Sequence, residues 1–164
     1  MKNSFFKYLF IFLTIALVTY ACVKKTTYPT VPAVNYSDFI PYAGDSADLK
    51  INFTDGDGDI GASENDSTRN FWYTYYYKDT ITQQYRGYVI YDSSGNEDTL
   101  RSSYIIKAPD DKSYDGKPIS GEVSVRLQKF RHSKKIKNVK YVFYLFDKAG
   151  NRSNIASSPE ILVQ

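Results

Sequence analysis

Beyond residue 44, apolar and polar positions alternate with a period of two through most of the chain. Leu49, Ile51 and Phe53 alternate with Lys50, Asn52 and Thr54, the pattern of a strand with one buried face. Phe71, Tyr73, Tyr75 and Tyr77 point one way, and Trp72, Thr74, Tyr76 and Lys78 the other. Further runs rich in β-branched and aromatic residues occupy 85–91, 100–107, 122–130, 140–147 and 160–163, which makes seven predicted strands. Between them lie Ser94-Gly95-Asn96, Pro109-Asp110-Asp111, Tyr114-Asp115-Gly116 and Ala149-Gly150-Asn151. Each is a turn signal, because glycine tolerates positive φ and Asn or Asp caps a turn through its side chain. No window carries a sustained helical stripe. The pattern predicts an all-β fold, a single antiparallel sandwich over 45–164, with a small closed barrel as the alternative.

Two stretches depart from this alternation. Residues 8–18 are uncharged, flanked by Lys2 and Lys7. An apolar run of that size lies within the roughly 7–15 residues of an export signal and falls short of the roughly 20 that cross a bilayer as a helix. From 22 to 44 there are prolines at 29, 32 and 41 and few aliphatics in any period, so the segment is expected to be an extended linker. At roughly 3.1 Å per residue its proline-containing part would span about 60 Å. Residues 36–42 could instead form a first edge strand.

Charge adds little. The chain carries 21 basic and 18 acidic side chains, and losing Lys2 and Lys7 with a signal leaves it almost neutral, so the pI of 8.8 is not a nucleic-acid footprint. Cys22 is the only cysteine and has no disulfide partner within the chain. With a single histidine, His132, and no other thiol, zinc ligation and serine–histidine or cysteine–histidine catalysis have little material. A non-enzymatic protein is expected.

The segment Thr19-Tyr20-Ala21-Cys22 resembles the lipobox of bacterial lipoproteins, although Thr19 stands where leucine is usual and Tyr20 is bulky. The resemblance implies removal of residues 1–21, acylation of Cys22, and a tether in the envelope of a Gram-negative cell of the Bacteroidota type. Two or three acyl chains anchor stably where one does not. The basic Lys24-Lys25 after the cysteine favours the periplasmic side of the outer membrane over the cell surface. The stretch 140–154, an aromatic strand followed by Asp147-Lys-Ala-Gly-Asn-Arg-Ser, resembles the penultimate strand and turn of bacterial immunoglobulin-like and fibronectin type III-like domains. By that likeness Tyr141 would be a corner tyrosine, bonded to nearby backbone.

Three features carry candidate chemistry. Asp55, Asp57 and Asp59, separated by glycines and followed by Glu64 and Asp66, form an acidic loop directly after a strand. Gathered carboxylates repel, and Ca²⁺ relieves that repulsion by taking 6–8 oxygen ligands. A structural calcium site is expected, with a solvated acidic turn as the alternative. The loop is similar to the twelve-residue calcium loop, with Asp55, Asp57 and Asp59 at its first three liganding positions and Asp66 at its last. Ile60 falls where that loop needs glycine, however. The closer likeness is to the Asp-Gly-Asp-Gly-Asp-Ile-Gly segment of sandwich lipoproteins in the same bacterial group.

The second feature is the aromatic strand, whose Trp72 and Tyr76, or Tyr73 and Tyr75, would be exposed to stack on a glycan or meet a protein partner. The third is a basic stretch from Arg126 to Lys140, which fits a solvated hairpin tip better than a site for phosphate, lipid headgroups or an acidic polysaccharide.

Overall fold

The computed structural model describes residues 6–8, 27–108, 114 and 116–163, so Cys22, most of the apolar run and the turn predicted at 109–111 lie outside the described residues. The fold is all-β, with antiparallel sheets and no closed barrel. One sheet has three strands in the order β1 (Ala33–Pro41), β2 (Ala47–Asp55), β8 (Ile119–Leu127). The second is built on β3 (Phe71–Lys78) and β9 (Asn138–Leu145). It is extended by β4 (Tyr85–Gly87) and β7 (Arg101–Tyr104) beside β3, and by β10 (Ala156–Ser157) and β11 (Ile161–Leu162) beside β9. A separate two-stranded ribbon pairs β5 (Val89–Tyr91) with β6 (Glu97–Thr99). Among the described residues no helix is long and apolar enough to cross a membrane.

The expected linker ends earlier than residue 44. Residues 33–41 pair with β2 along its length, from Ala33 opposite Thr54 to Pro41 opposite Ala47. The alternation here is imperfect because the register shifts between Tyr36 and Asp38, a bulge that turns the side chains over midway. The run 85–91 divides, since β4 stays with β3 while β5 leaves to form the ribbon.

The core lies between the two sheets and is filled by the inward rows of β2, β3 and β9. Leu49, Ile51, Phe71, Val139 and Phe143 are fully buried there. Rings from both sheets meet across it: Phe39 stacks on Tyr141 at 5.9 Å and meets Phe130 edge-on at 5.4 Å. Tyr141 also packs edge-on against Tyr73 and Tyr75. Its hydroxyl is buried and makes no hydrogen bond among the described residues, so the bond to nearby backbone that the resemblance implies is not formed there. The ring is a core filler whose polar end faces other rings.

The period of two also explains where the acids go. The inward row of β2, Ala47, Leu49, Ile51 and Phe53, reaches Asp55 as its next member. The inward row of β9, Val139, Tyr141, Phe143 and Leu145, reaches Asp147 in the same way. Both strands run toward the same end of the sandwich. Each therefore delivers a carboxylate to the rim of the core.

Candidate metal centre at the acidic pole

Asp55 is fully buried, and carboxylate oxygens of Asp55, Asp57 and Asp59 all lie within 4.8 Å of one another. The intervening glycines make this possible. Gly58 has a φ of 71°, and a Cβ there would collide with the carbonyl oxygens of Tyr114 and Lys117. At Gly56 a Cβ would overlap the backbone of Tyr28 and Pro29, which places the segment entering β1 directly against the acidic loop.

Hydrogen bonds fix the loop on its other sides. Ile60 N–H donates to Asp55 Oδ2 at 3.1 Å, and Ala149 N–H donates to Asp59 Oδ2 at 3.0 Å. Lys148 N–H donates to the Asp59 carbonyl at 3.2 Å, and Ile60 forms a bridge with Asp147. Ala62 is tied to residues 106 and 108 by backbone bonds. Asn70 supports that neighbour by pairing its side-chain amide with both backbone groups of Ile106, at 2.7 and 2.9 Å. The Asp55–Gly61 and Asp147–Asn151 segments thus form one structural unit.

One oxygen on each of Asp55, Asp57 and Asp59 is buried with no hydrogen-bond partner among the described residues. No salt bridge among the described residues involves these acids or Asp147. Burial, then repulsion from Asp57 and Asp59, pushes the Asp55 carboxyl up to about 6. Asp59 is raised by burial and by Asp147. An uncompensated buried carboxylate costs several kcal/mol or takes up a proton, and a cation among the three would relieve that cost as well. The donor set is all hard oxygen, which suits Ca²⁺, and three carboxylates leave the remaining positions to backbone carbonyls and water.

The structure does not bring Glu64 and Asp66 into this group. Glu64 is exposed, and the Asp66 carboxylate closes a local turn by accepting the Thr68 N–H at 2.8 Å; the Thr68 side chain and then this N–H hold its pKa below the usual range. Lys107 fastens this turn by donating from Nζ to the carbonyls of Ser63, Glu64 and Asp66. The twelve-residue spacing fails because Gly61, with a φ of 88°, redirects the chain toward Ala108 before residue 64 is reached. Asp147 was missed from sequence. Both its oxygens bond Asn151, and its charge bears on Asp55 and Asp59. Its position at the next inward step after Leu145 was the available signal.

On β3, Tyr73 and Tyr75 are core residues, at 9% and 1% exposure, so they belong to no surface site. Trp72 and Tyr76 lie half-buried on the outer face of the larger sheet. Trp72 pairs across the ladder with Tyr144 and, together with Arg101, lines a groove of about 200 Å³.

No family model matches the chain, and comparison with curated proteins and with solved structures finds no match either.

Proposed function

We propose that the chain is a lipid-anchored, non-enzymatic binding or scaffolding module of the bacterial envelope, with its acidic pole closed by a structural Ca²⁺. The observation that carries the metal reading is the convergence of three buried carboxylate oxygens, none with a hydrogen-bond partner among the described residues. The anchor reading rests on the uncharged run 8–18 and the lone Cys22. The two are linked in space, because the backbone at Tyr28 and Pro29 lies against Gly56 of the acidic loop. A cation there would stiffen the junction between tether and domain, fixing how the sandwich is presented from the membrane.

The test is thermal melting of the full chain in mild detergent, first with calcium and then with chelator. At a hundred-fold excess over Kd, calcium adds about 2.7 kcal/mol, which is roughly 8–15 °C in Tm for a domain of this size. Asp57→Ala is expected to abolish the shift. An unchanged midpoint in both proteins would remove the metal from the proposal. Mass spectrometry of the native protein tests the anchor: an acylated Cys22 at the N-terminus is expected, and a retained Met1 with an unmodified thiol would refute it.

A second reading is carbohydrate binding at the outer face of the larger sheet, favoured by the groove that Trp72 shares with Tyr144 and Arg101. Half-exposed aromatic rings on a sheet can stack on sugar rings. A glycan array probed with the full chain tests it, and no signal from neutral or acidic sugars would exclude it.

A further inference from the structure

The loop at 128–137 joins β8 to β9, which lie in different sheets, so it crosses between the sheets and is not the hairpin tip that the charge pattern suggests. It leaves β8 after Leu127, at the end of the sandwich opposite Asp55. A strand the length of β2 separates these poles by roughly 27 Å.

Two buried side chains and a packed histidine ring hold the crossover. Phe130 is 1% exposed and its N–H donates to the Asp45 carbonyl at 2.8 Å, while Ile136 is 8% exposed. Between them the His132 ring packs edge-on against Tyr75 at 4.6 Å and lies 5.0 Å from Tyr88. Lys137 C=O accepts the Val163 N–H at 2.7 Å, tying in the last strand.

Around this fixed backbone lies a cavity of about 570 Å³ lined by Lys129, Arg131, His132, Lys134 and Lys137, with Asp45 the only acid on its wall among the described residues. Arg131 is already engaged, donating to the Gly44 carbonyl and facing Asp45 at 3.5 Å. Lys129, Lys134 and Lys137 have no acid within salt-bridge distance among the described residues. Lysines that guard a sheet edge stand along the strand. These stand past its end, around a concavity.

We propose that this pocket binds a phosphate-bearing ligand of sugar-phosphate size. The geometry favours that chemistry over a carboxylate. A planar carboxylate is best met by the fork of an arginine, whereas separate lysine ammoniums approach a tetrahedral oxyanion from several directions. The one guanidinium present has its Nη1 on the Gly44 carbonyl and its Nε buried, so it does not offer that fork to the cavity. A cavity of this volume exceeds a bare phosphate and falls within the roughly 300–1,000 Å³ of small-molecule sites, so space remains for a sugar ring. Because the lysine stems rise from an anchored loop, little backbone ordering opposes binding. This site goes beyond the calcium reading and does not depend on it, since the metal centre lies at the other pole.

Calorimetric titration of the full chain in non-ionic detergent with glucose 6-phosphate tests the proposal, with glucose and glucuronate as comparators. Saturable binding of one glucose 6-phosphate per chain is expected, with no heat from glucose and glucuronate weaker by roughly ten-fold or more. Lys129→Glu and Lys137→Glu should each weaken binding by roughly ten-fold or more at an unchanged melting midpoint. Lys117→Gln, which removes an exposed cation at the opposite pole, should leave binding unchanged. Chelating calcium should not affect the result, which separates failure here from failure of the metal centre. Displacement by vesicles carrying a phosphorylated glycolipid would identify a headgroup as the source, and its absence a soluble sugar phosphate. The proposal is overturned by absence of saturable binding, by unaltered affinity in both cavity-lysine variants, or by an equal loss in Lys117→Gln.

Discussion

The carboxylate of Asp59 accepts the backbone N–H of Ala149 at 3.0 Å, across a sequence separation of 90 residues. That bond joins two turns that look independent in the sequence. Asp59 belongs to the loop that ends β2, and Ala149 to the loop that ends β9, so the contact locks one sheet to the other at the acidic pole. Lys148 N–H donates to the Asp59 carbonyl as well, so the union does not rest on a single bond.

The charge state of Asp55 makes the metal-free protein sensitive to pH in a defined direction. Its folded pKa stands at about 6 against the ordinary 3.8. Between those values the folded chain keeps a proton that the unfolded chain has released, so stability without metal falls as pH rises through that window. His132, lowered from 6.5 by burial and by Lys129, acts in the opposite sense, so a comparison of variants is needed to isolate the carboxylate. In chelator, Asp55→Asn is expected to be more stable than the parent by about 1–2 kcal/mol near neutral pH, with the difference shrinking as pH falls toward about 4. Urea unfolding at a series of pH values measures it, and a gap independent of pH would show that Asp55 is not the responsible group.

Two glycines with the same backbone sign separate conformational cost from collision. Gly58 and Gly150 have φ of 71° and 85°, but only Gly58 faces backbone, since nothing lies within 4 Å of a Cβ at Gly150. Gly150→Ala should cost about 1 kcal/mol, the penalty of a left-handed residue alone. Gly58→Ala should cost about 3 kcal/mol or more and weaken calcium binding, because the loop must move off residues 114 and 117. Equal losses in denaturant unfolding would mean that the packing at Gly58 is unimportant.

Removing the Tyr141 hydroxyl should not harm the fold. The ring is 1% exposed, and the hydroxyl is buried with no partner, so Tyr141→Phe is expected to be neutral or to stabilise by up to about 1 kcal/mol. Tyr141→Ala should cost about 3–5 kcal/mol through the cavity it leaves. A loss above about 1 kcal/mol for the phenylalanine variant, read by thermal melting, would restore a hydrogen-bonding role.

The sandwich was legible because strands with one buried face must alternate, as residues 49–54 of β2 do without interruption. β1 was less legible because its bulge between Tyr36 and Asp38 breaks the period, which leaves its prolines as the more visible signal. The short β6 and β10 carry too few residues to show a period at all. Within the acidic loop, Asp55, Asp57 and Asp59 could be read from spacing, since glycines at alternate positions let adjacent acids converge. Glu64 and Asp66 could not be placed by spacing, because the direction of the chain after Gly61 depends on its packing against Ala108. Asp147 needed knowledge that β2 and β9 end at the same pole. The choice between the two faces of β3 was likewise settled by packing, which put Tyr73 and Tyr75 inside and Trp72 and Tyr76 outside.

The most direct measurement is a calcium titration of the chelator-stripped full chain by calorimetry, with Asp59→Asn in parallel. One ion bound per chain is expected, with Mg²⁺ bound far more weakly and binding lost in the variant. Absence of binding heat at millimolar calcium, or a stoichiometry unchanged by Asp59→Asn, would contradict a metal centre built on Asp55, Asp57 and Asp59.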